Sequence, residues 1–202
     1  MIELTNQLIR DFITREGYSP APSGKLGILG LRGAFRKGET QIERNDNFSP
    51  ENQNHYNDTL VLYGPVLAAF PASCDPGRYW TERPLNLKGC AHLKEGAWFY
   101  RIGVHKGHQA LVQDAAVTIV RDFDKDGKPD PEEPEFTGWF GINIHAGGTS
   151  PEVNRNSAGC QVIEGGWEGQ HWQLFFSTIL FYRNRFGQTR FNYHLLKASR
   201  IF

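Results

Sequence analysis

Two groups of residues in this chain of 202 have the types and spacing to do chemistry. The first lies within 140–163, FGINIHAGGTSPEVNRNSAGCQVI. Ile142 and Ile144 form a short apolar run that delivers His145 into a Gly-rich turn. Fifteen positions later, Ser157-Ala158-Gly159-Cys160 sets a cysteine in a turn of small residues, followed by a second apolar run. A lone cysteine is more often a small buried hydrophobe, but an imidazole and a thiol held this way are the parts of a cysteine nucleophile with its base. Gly159 lets the backbone turn sharply and a substrate approach closely. The successive amides of Ala158, Gly159 and Cys160 can converge as an oxyanion-binding nest, and the Ser157 hydroxyl can orient the turn or the substrate. His145 is expected to take the thiol proton or to stabilise the thiolate, lowering a pKa of roughly 8.5 towards neutrality.

The second group is DFDKDGKPDPEE, beginning at Asp122. Asp122, Asp124, Asp126, Asp130 and Glu133 fall at the first, third, fifth, ninth and twelfth places of an EF-hand calcium loop, with Gly127 at the sixth. The acids supply hard oxygens, Lys128 its backbone carbonyl, and Glu133 a bidentate carboxylate. The plainer alternative is an acidic solvent loop between strands, which its two prolines would also suit. No helical pattern flanks it, so the expectation is a structural Ca2+ loop on a β scaffold, stiffening the connection that leads into the His145 strand. No cofactor is expected for the chemistry itself. Cys90, His92, His105 and His108 lack the paired Cys-x-x-Cys spacing of a zinc site and read as exposed or cleft-lining side chains. Tyr100, His105 and His108 are candidates for a substrate wall. Trp139 and Trp167 flank the first group and read as core before cleft.

The elements that must position these groups are mostly short strands. Leu4, Leu8, Ile9, Phe12 and Ile13 recur at helical spacing, with Gly17 as a stop. A buried strand follows at 26–31, and the polar, Asn-rich stretch 37–58 reads as a long surface loop. The runs at 59–63 and 66–73 around Gly64-Pro65 predict a hairpin, and those at 90–93 and 97–103 around Glu95-Gly96 another. One or two strands are expected in 110–121 and two in 138–163. Trp172, Phe175, Phe176, Ile179 and Leu180 then keep helical spacing, with Arg183 and Arg185 in the last turn and Gly187 as a stop. A closing strand at 191–196 completes the chain, which carries no repeat, low-complexity tract or linker.

Length and composition set the frame. At 202 residues the chain is expected to be one domain: an N-terminal helix and strand over 1–36, a central region over 59–163, and a C-terminal helix and strand over 164–202. Many Gly, Pro and Asn residues between short apolar runs favour a mainly β protein with two or so peripheral helices. Lys plus Arg and Asp plus Glu both number 22, so the charge argument for nucleic acid is absent. No apolar run approaches the roughly 20 residues that cross a bilayer. The N-terminus is charged and amphipathic, unlike a secretory signal, so the expectation is a soluble chain synthesised in the cytoplasm. Three cysteines are too few for a disulfide framework; at most Cys74 and Cys90 pair, leaving Cys160 free.

The segment Ile144-His145-Ala146-Gly147, followed by Ser157-Ala158-Gly159-Cys160, resembles the catalytic motif of the L,D-transpeptidase (YkuD-like) family. That motif runs from a His in an Ile-His-Gly-like turn, across about fifteen residues, to Ser-His-Gly-Cys. The hairpin LVLYGPVLAAFPASC also resembles that family's opening strands, so the likeness covers roughly 59–163. It implies a β-sandwich-like catalytic domain acting at the cell wall on peptidoglycan stem peptides. Cys160 would attack the carbonyl of a diaminopimelate-to-D-alanine bond with His145 as base, and the acyl-enzyme would pass to an amine or to water. Two departures stand out. Ala158 replaces the family's His, which is acceptable where that position gives its backbone amide. Gln161-Val162 stands where an apolar residue and then Arg or Asn is usual, so the substrate anchor is missing or replaced by Arg155, Asn156 or Gln161. Two alternatives follow: a hydrolytic L,D-carboxypeptidase or phage-type wall lysin using the same site, and an inert, calcium-stabilised wall-binding domain.

Overall fold

A computed structural model describes residues 1–202. Its centre is strand β2 (Gly27–Arg32), buried along its whole length because successive side chains of a strand point to opposite faces and both faces are covered. Leu26 and Ile28 join a core with Leu60, Leu62, Tyr193 and Leu195, whereas Leu29 and Leu31 join a second core with Ile9, Phe12 and Ile13 of helix α1 (Asn6–Arg15). Thr5 caps α1, its hydroxyl accepting from the Leu8 amide at 3.1 Å.

β2 pairs with β5 (Asp58–Tyr63) antiparallel and with β14 (Phe191–Lys197) parallel. β5 continues as the expected hairpin into β6 (Ala68–Ser73). On the other side β14 pairs with β8 (Gly96–His105), which turns through Lys106 and Gly107 into β9 (His108–Gln113). Short strands β12 (Ile144–Ala146) and β13 (Gln161–Ile163) run parallel and bridge β9 to β6. The result is a closed barrel of eight strands. The protein is mainly β as expected, but the layered sandwich is replaced by a barrel. The Ile144–Leu111 pairing joins the two edges that a sandwich would leave open.

Two small sheets flank the barrel. One orders β1 (Ile2–Glu3), β4 (Gln41–Arg44) and β3 (Ala34–Arg36); the other orders β11 (Glu135–Gly138), β10 (Val117–Asp122) and β7 (Cys90–Leu93). Hence β7 and β8 do not form the hairpin expected around Glu95-Gly96, since β7 pairs with β10 in a separate sheet. The polar stretch 37–58 is not a simple surface loop either. It contains β4, and Asn47, Asn54 and Asn57 are buried with their amides bonded inward. α2 is short (Arg78–Glu82), and α3 (Gln170–Phe186) packs Trp172, Phe175, Phe176, Ile179 and Tyr182 into the main core. Gly187 stops α3 in the left-handed conformation, at φ 63°. No helix is long and apolar enough to cross a membrane.

Beneath the barrel wall lies a buried ion network. Arg32 bonds both oxygens of Asp75 at 3.0 and 3.1 Å, Glu95 at 2.9 Å, and the carbonyls of Cys74 and Leu93. Asp75 also accepts from His92 Nδ1 and Asn47 Nδ2. One guanidinium therefore ties β2 to the ends of β6, β7 and β8. All three cysteines are free thiols, so Cys74 and Cys90 do not pair.

Candidate functional site

The parallel pairing of β12 with β13 brings the two halves of the 140–163 segment together. Ile144 lies opposite Gln161, which sets Cys160 beside Asn143 at the start of both strands. Parallel neighbours need a crossover of a dozen or more residues, and 147–160 supplies it. The crossover is fixed at its start, where the Gly147 amide donates to the Ile163 carbonyl at 2.6 Å and the Gly148 amide to the Tyr56 hydroxyl at 2.7 Å. At its end Ser157, fully buried, accepts from the Gly159 amide at 3.1 Å and donates to the Cys160 carbonyl at 2.7 Å. Ser157 thus shapes the turn and does not face a substrate. Gly159 is at φ 127°, and a Cβ there would collide with the Ala91 carbonyl oxygen, so the turn admits glycine alone.

Cys160 Sγ lies with one ring nitrogen each of His145 and His105 in a group whose members are all within 4.8 Å of one another. The thiol donates to the Gly141 carbonyl at 3.4 Å and accepts from the Asn143 amide at 3.4 Å. His145 Nδ1 bonds the Ala146 carbonyl at 2.7 Å. A carbonyl only accepts, so Nδ1 carries the proton and Nε2 is left as a lone-pair base. His105 stacks on His145 with ring centroids 4.3 Å apart, and Asn143 Nδ2 bonds His105 Nδ1 at 2.9 Å. Trp167 stacks beyond His145 and against His108.

The electrostatics differ from the expected activated thiolate. Burial, with His105 and Lys106 adding repulsion, pushes the His145 imidazole down to about 3. Burial pushes the Cys160 thiol up, opposed by the Asn143 amide and Lys106. The resting pair is neutral thiol and neutral imidazole. Such a pair works by general-base proton transfer during attack and not through a preformed ion pair.

Cys160, His145, His105, Ala158 and Asn156 line a cleft of about 450 Å³. Lys106, from the β8–β9 turn, and Arg121, from β10, bring two cations to it. Of the three expected amides, that of Gly159 is taken by Ser157. Those of Ala158 and Cys160 have no acceptor within the protein and are free to meet an oxyanion.

The expected substrate anchors divide. Asn156 is on the cleft wall. Arg155 is not: its guanidinium lies 4.0 Å over the Tyr79 ring. Gln161 is wholly buried, donating to the carbonyls of Cys74 and Gly159 and accepting from the Tyr193 hydroxyl at 2.8 Å. Tyr100 is core and His108 stands outside the cleft, while Trp139 is exposed and so not core. The residues 90, 92, 105 and 108 do not converge; His92 is buried against Asp75. The second sequence group keeps its shape: Asp122, Asp124 and Asp126 bring their carboxylates within 4.8 Å of one another. The loop connects β10 to β11, and β12 follows after 139–143.

No protein-family model, curated protein or solved structure matches the chain.

Proposed function

We propose that this protein is a cysteine-dependent acyltransferase acting on peptidoglycan stem peptides, in the manner of the L,D-transpeptidases it resembles. One observation carries the reading: Cys160 and His145 meet in the lining of a cleft, with the imidazole oriented by the Ala146 carbonyl and its Nε2 unprotonated. The thiol rotates from the Gly141 carbonyl towards His145, which takes its proton as sulfur attacks the peptide carbonyl. The oxyanion is met by the free amides of Ala158 and Cys160. His145 then returns the proton to the leaving amine, and an acyl-enzyme remains on Cys160. An incoming amine, or water, reverses the sequence. A stem peptide that ends in D-alanine carries a terminal carboxylate, and Lys106 and Arg121 at the cleft are cations suited to bind it.

The deciding experiment incubates the protein with muropeptide tetrapeptides, with and without a D-amino acid, and reads products by mass spectrometry. Exchange of the terminal residue supports transfer, and simple shortening makes the protein a hydrolase with the same site. Absence of any product that disappears in Cys160→Ala overturns both.

A further inference from the structure

The loop after β10 holds a carboxylate that its surroundings leave incomplete. Asp122 is fully buried, yet its Oδ1 has no hydrogen-bond partner, and only Oδ2 is met, by the Gly127 amide at 3.1 Å. A buried unpaired carboxylate oxygen costs several kcal/mol unless a cation or donor completes it. The carboxylates of Asp124 and Asp126 are exposed and stand within 4.8 Å of that of Asp122. That spacing matches oxygens sharing one ion at about 2.3–2.6 Å. Gly127, at φ 83°, makes the sharp turn that such a loop needs at its sixth place. Glu133, at the twelfth place, is held by the Asp130 amide at 3.1 Å and by the Phe123 amide. Each of its oxygens keeps a lone pair.

We infer that residues 122–133 form a calcium site, with Asp122, Asp124, Asp126 and Glu133 as carboxylate ligands, Lys128 giving its backbone carbonyl, and Asp130 acting directly or through water. A set this rich in oxygens, with a bidentate glutamate, favours Ca2+ over the smaller, strictly octahedral Mg2+. The Lys128 ammonium, 3.6 Å from Asp126 in an exposed pair, is a weak substitute that the ion displaces. Occupancy has a structural consequence beyond the loop. Asp122 is the last residue of β10 and pairs with Cys90 of β7, and Arg121 beside it bonds the Gly89 carbonyl at 3.1 Å. On the other side, Gln53 Nε2 bonds the Asp126 carbonyl at 2.7 Å, joining the loop to 45–57. An ion at Asp122 therefore fixes one wall of the cleft, and this inference does not rest on the cysteine chemistry proposed above.

The test uses the full chain after chelation. Calorimetric titration with CaCl2 should show one site. At about 100 times the dissociation constant the melting midpoint should rise by roughly 5–10 °C, and amide exchange in 117–133 and 90–93 should slow. The exposed substitutions Asp124→Asn and Asp126→Asn, which leave the core untouched, should each remove most of these effects. No heat and no shift in the wild-type chain, an equal shift in the double variant, or an equal response to MgCl2 each overturns the assignment.

Discussion

A thiol bonded to a carbonyl and an imidazole kept neutral by burial do not react like a preformed thiolate–imidazolium pair. In such a pair the thiolate is present at neutral pH and alkylation is nearly flat across that range. Here burial raises Cys160 and depresses His145 to about 3, so neither group titrates near neutrality. Alkylation of Cys160 by iodoacetamide is expected to climb about tenfold per pH unit from about pH 6 to about pH 8. It should remain faster than alkylation of Cys74, which is sealed in the core, or of Cys90, whose thiol is pushed up to about 12 by burial. A flat profile between those pH values, read by mass spectrometry of the labelled peptides, would establish the ion pair instead.

Among the elements, the turn before β13 bears the greatest local constraint. Gly159 occupies a conformation closed to other residues and sits against the Ala91 carbonyl, so Gly159→Ala must move β7 or the turn. The expected loss is roughly 1–3 kcal/mol in denaturant unfolding, accompanied by loss of Cys160-dependent product; unchanged stability would show that the turn is softer than its geometry. This element was legible in the sequence because a His and a Cys at a crossover's spacing, with glycines where the chain must bend, follow from local rules. Its neighbours were not. Gln161 looked like a substrate anchor by adjacency, but side chains alternate along a strand, and with Cys160 towards the cleft Gln161 points into the core. Of the wall candidates read from the sequence, His105 at the end of β8 does line the cleft, but Lys106 and Arg121 reach it from the β8–β9 turn and from β10, whose placement depends on long-range pairing. Barrel closure was hidden for the same reason: it rests on a single registered pair, Ile144 with Leu111. The asparagines of 45–57 read as solvent-facing by type, although Asn47, Asn54 and Asn57 are buried by the partners their amides find.

Across the whole molecule, stability should depend on pH through groups that burial has displaced. His145 is depressed to about 3, and His194, on β14 against Tyr18 and Tyr63, to about 4, chiefly by burial. In the unfolded chain both titrate near 6.5. Between those values the unfolded state binds more protons than the native state, so stability rises with pH through the window and is lost as pH falls below about 6.5. Each histidine contributes a slope of up to about 1.4 kcal/mol per pH unit. Asp58 opposes them, since burial and then Asp75 push its carboxyl up, and its contribution weakens as pH rises from the acid range. Asp75 acts at lower pH: burial works to raise it, but Arg32 and His92 hold it below the ordinary carboxylate range, so its contribution is lost only as pH falls below about 4. Asp122, pushed up to about 6 chiefly by burial, sides with Asp58, so the share of the histidines is read by comparing the wild-type chain with a histidine variant as pH falls from about 6.5 to about 4. His194 Nε2 bonds the Ser19 carbonyl at 3.1 Å, a contact that a glutamine amide can reproduce. The substitution His194→Gln should therefore retain the fold and fall less steeply in the same acid window. An equally steep fall in that variant would mean that the buried histidines do not set the acid limit.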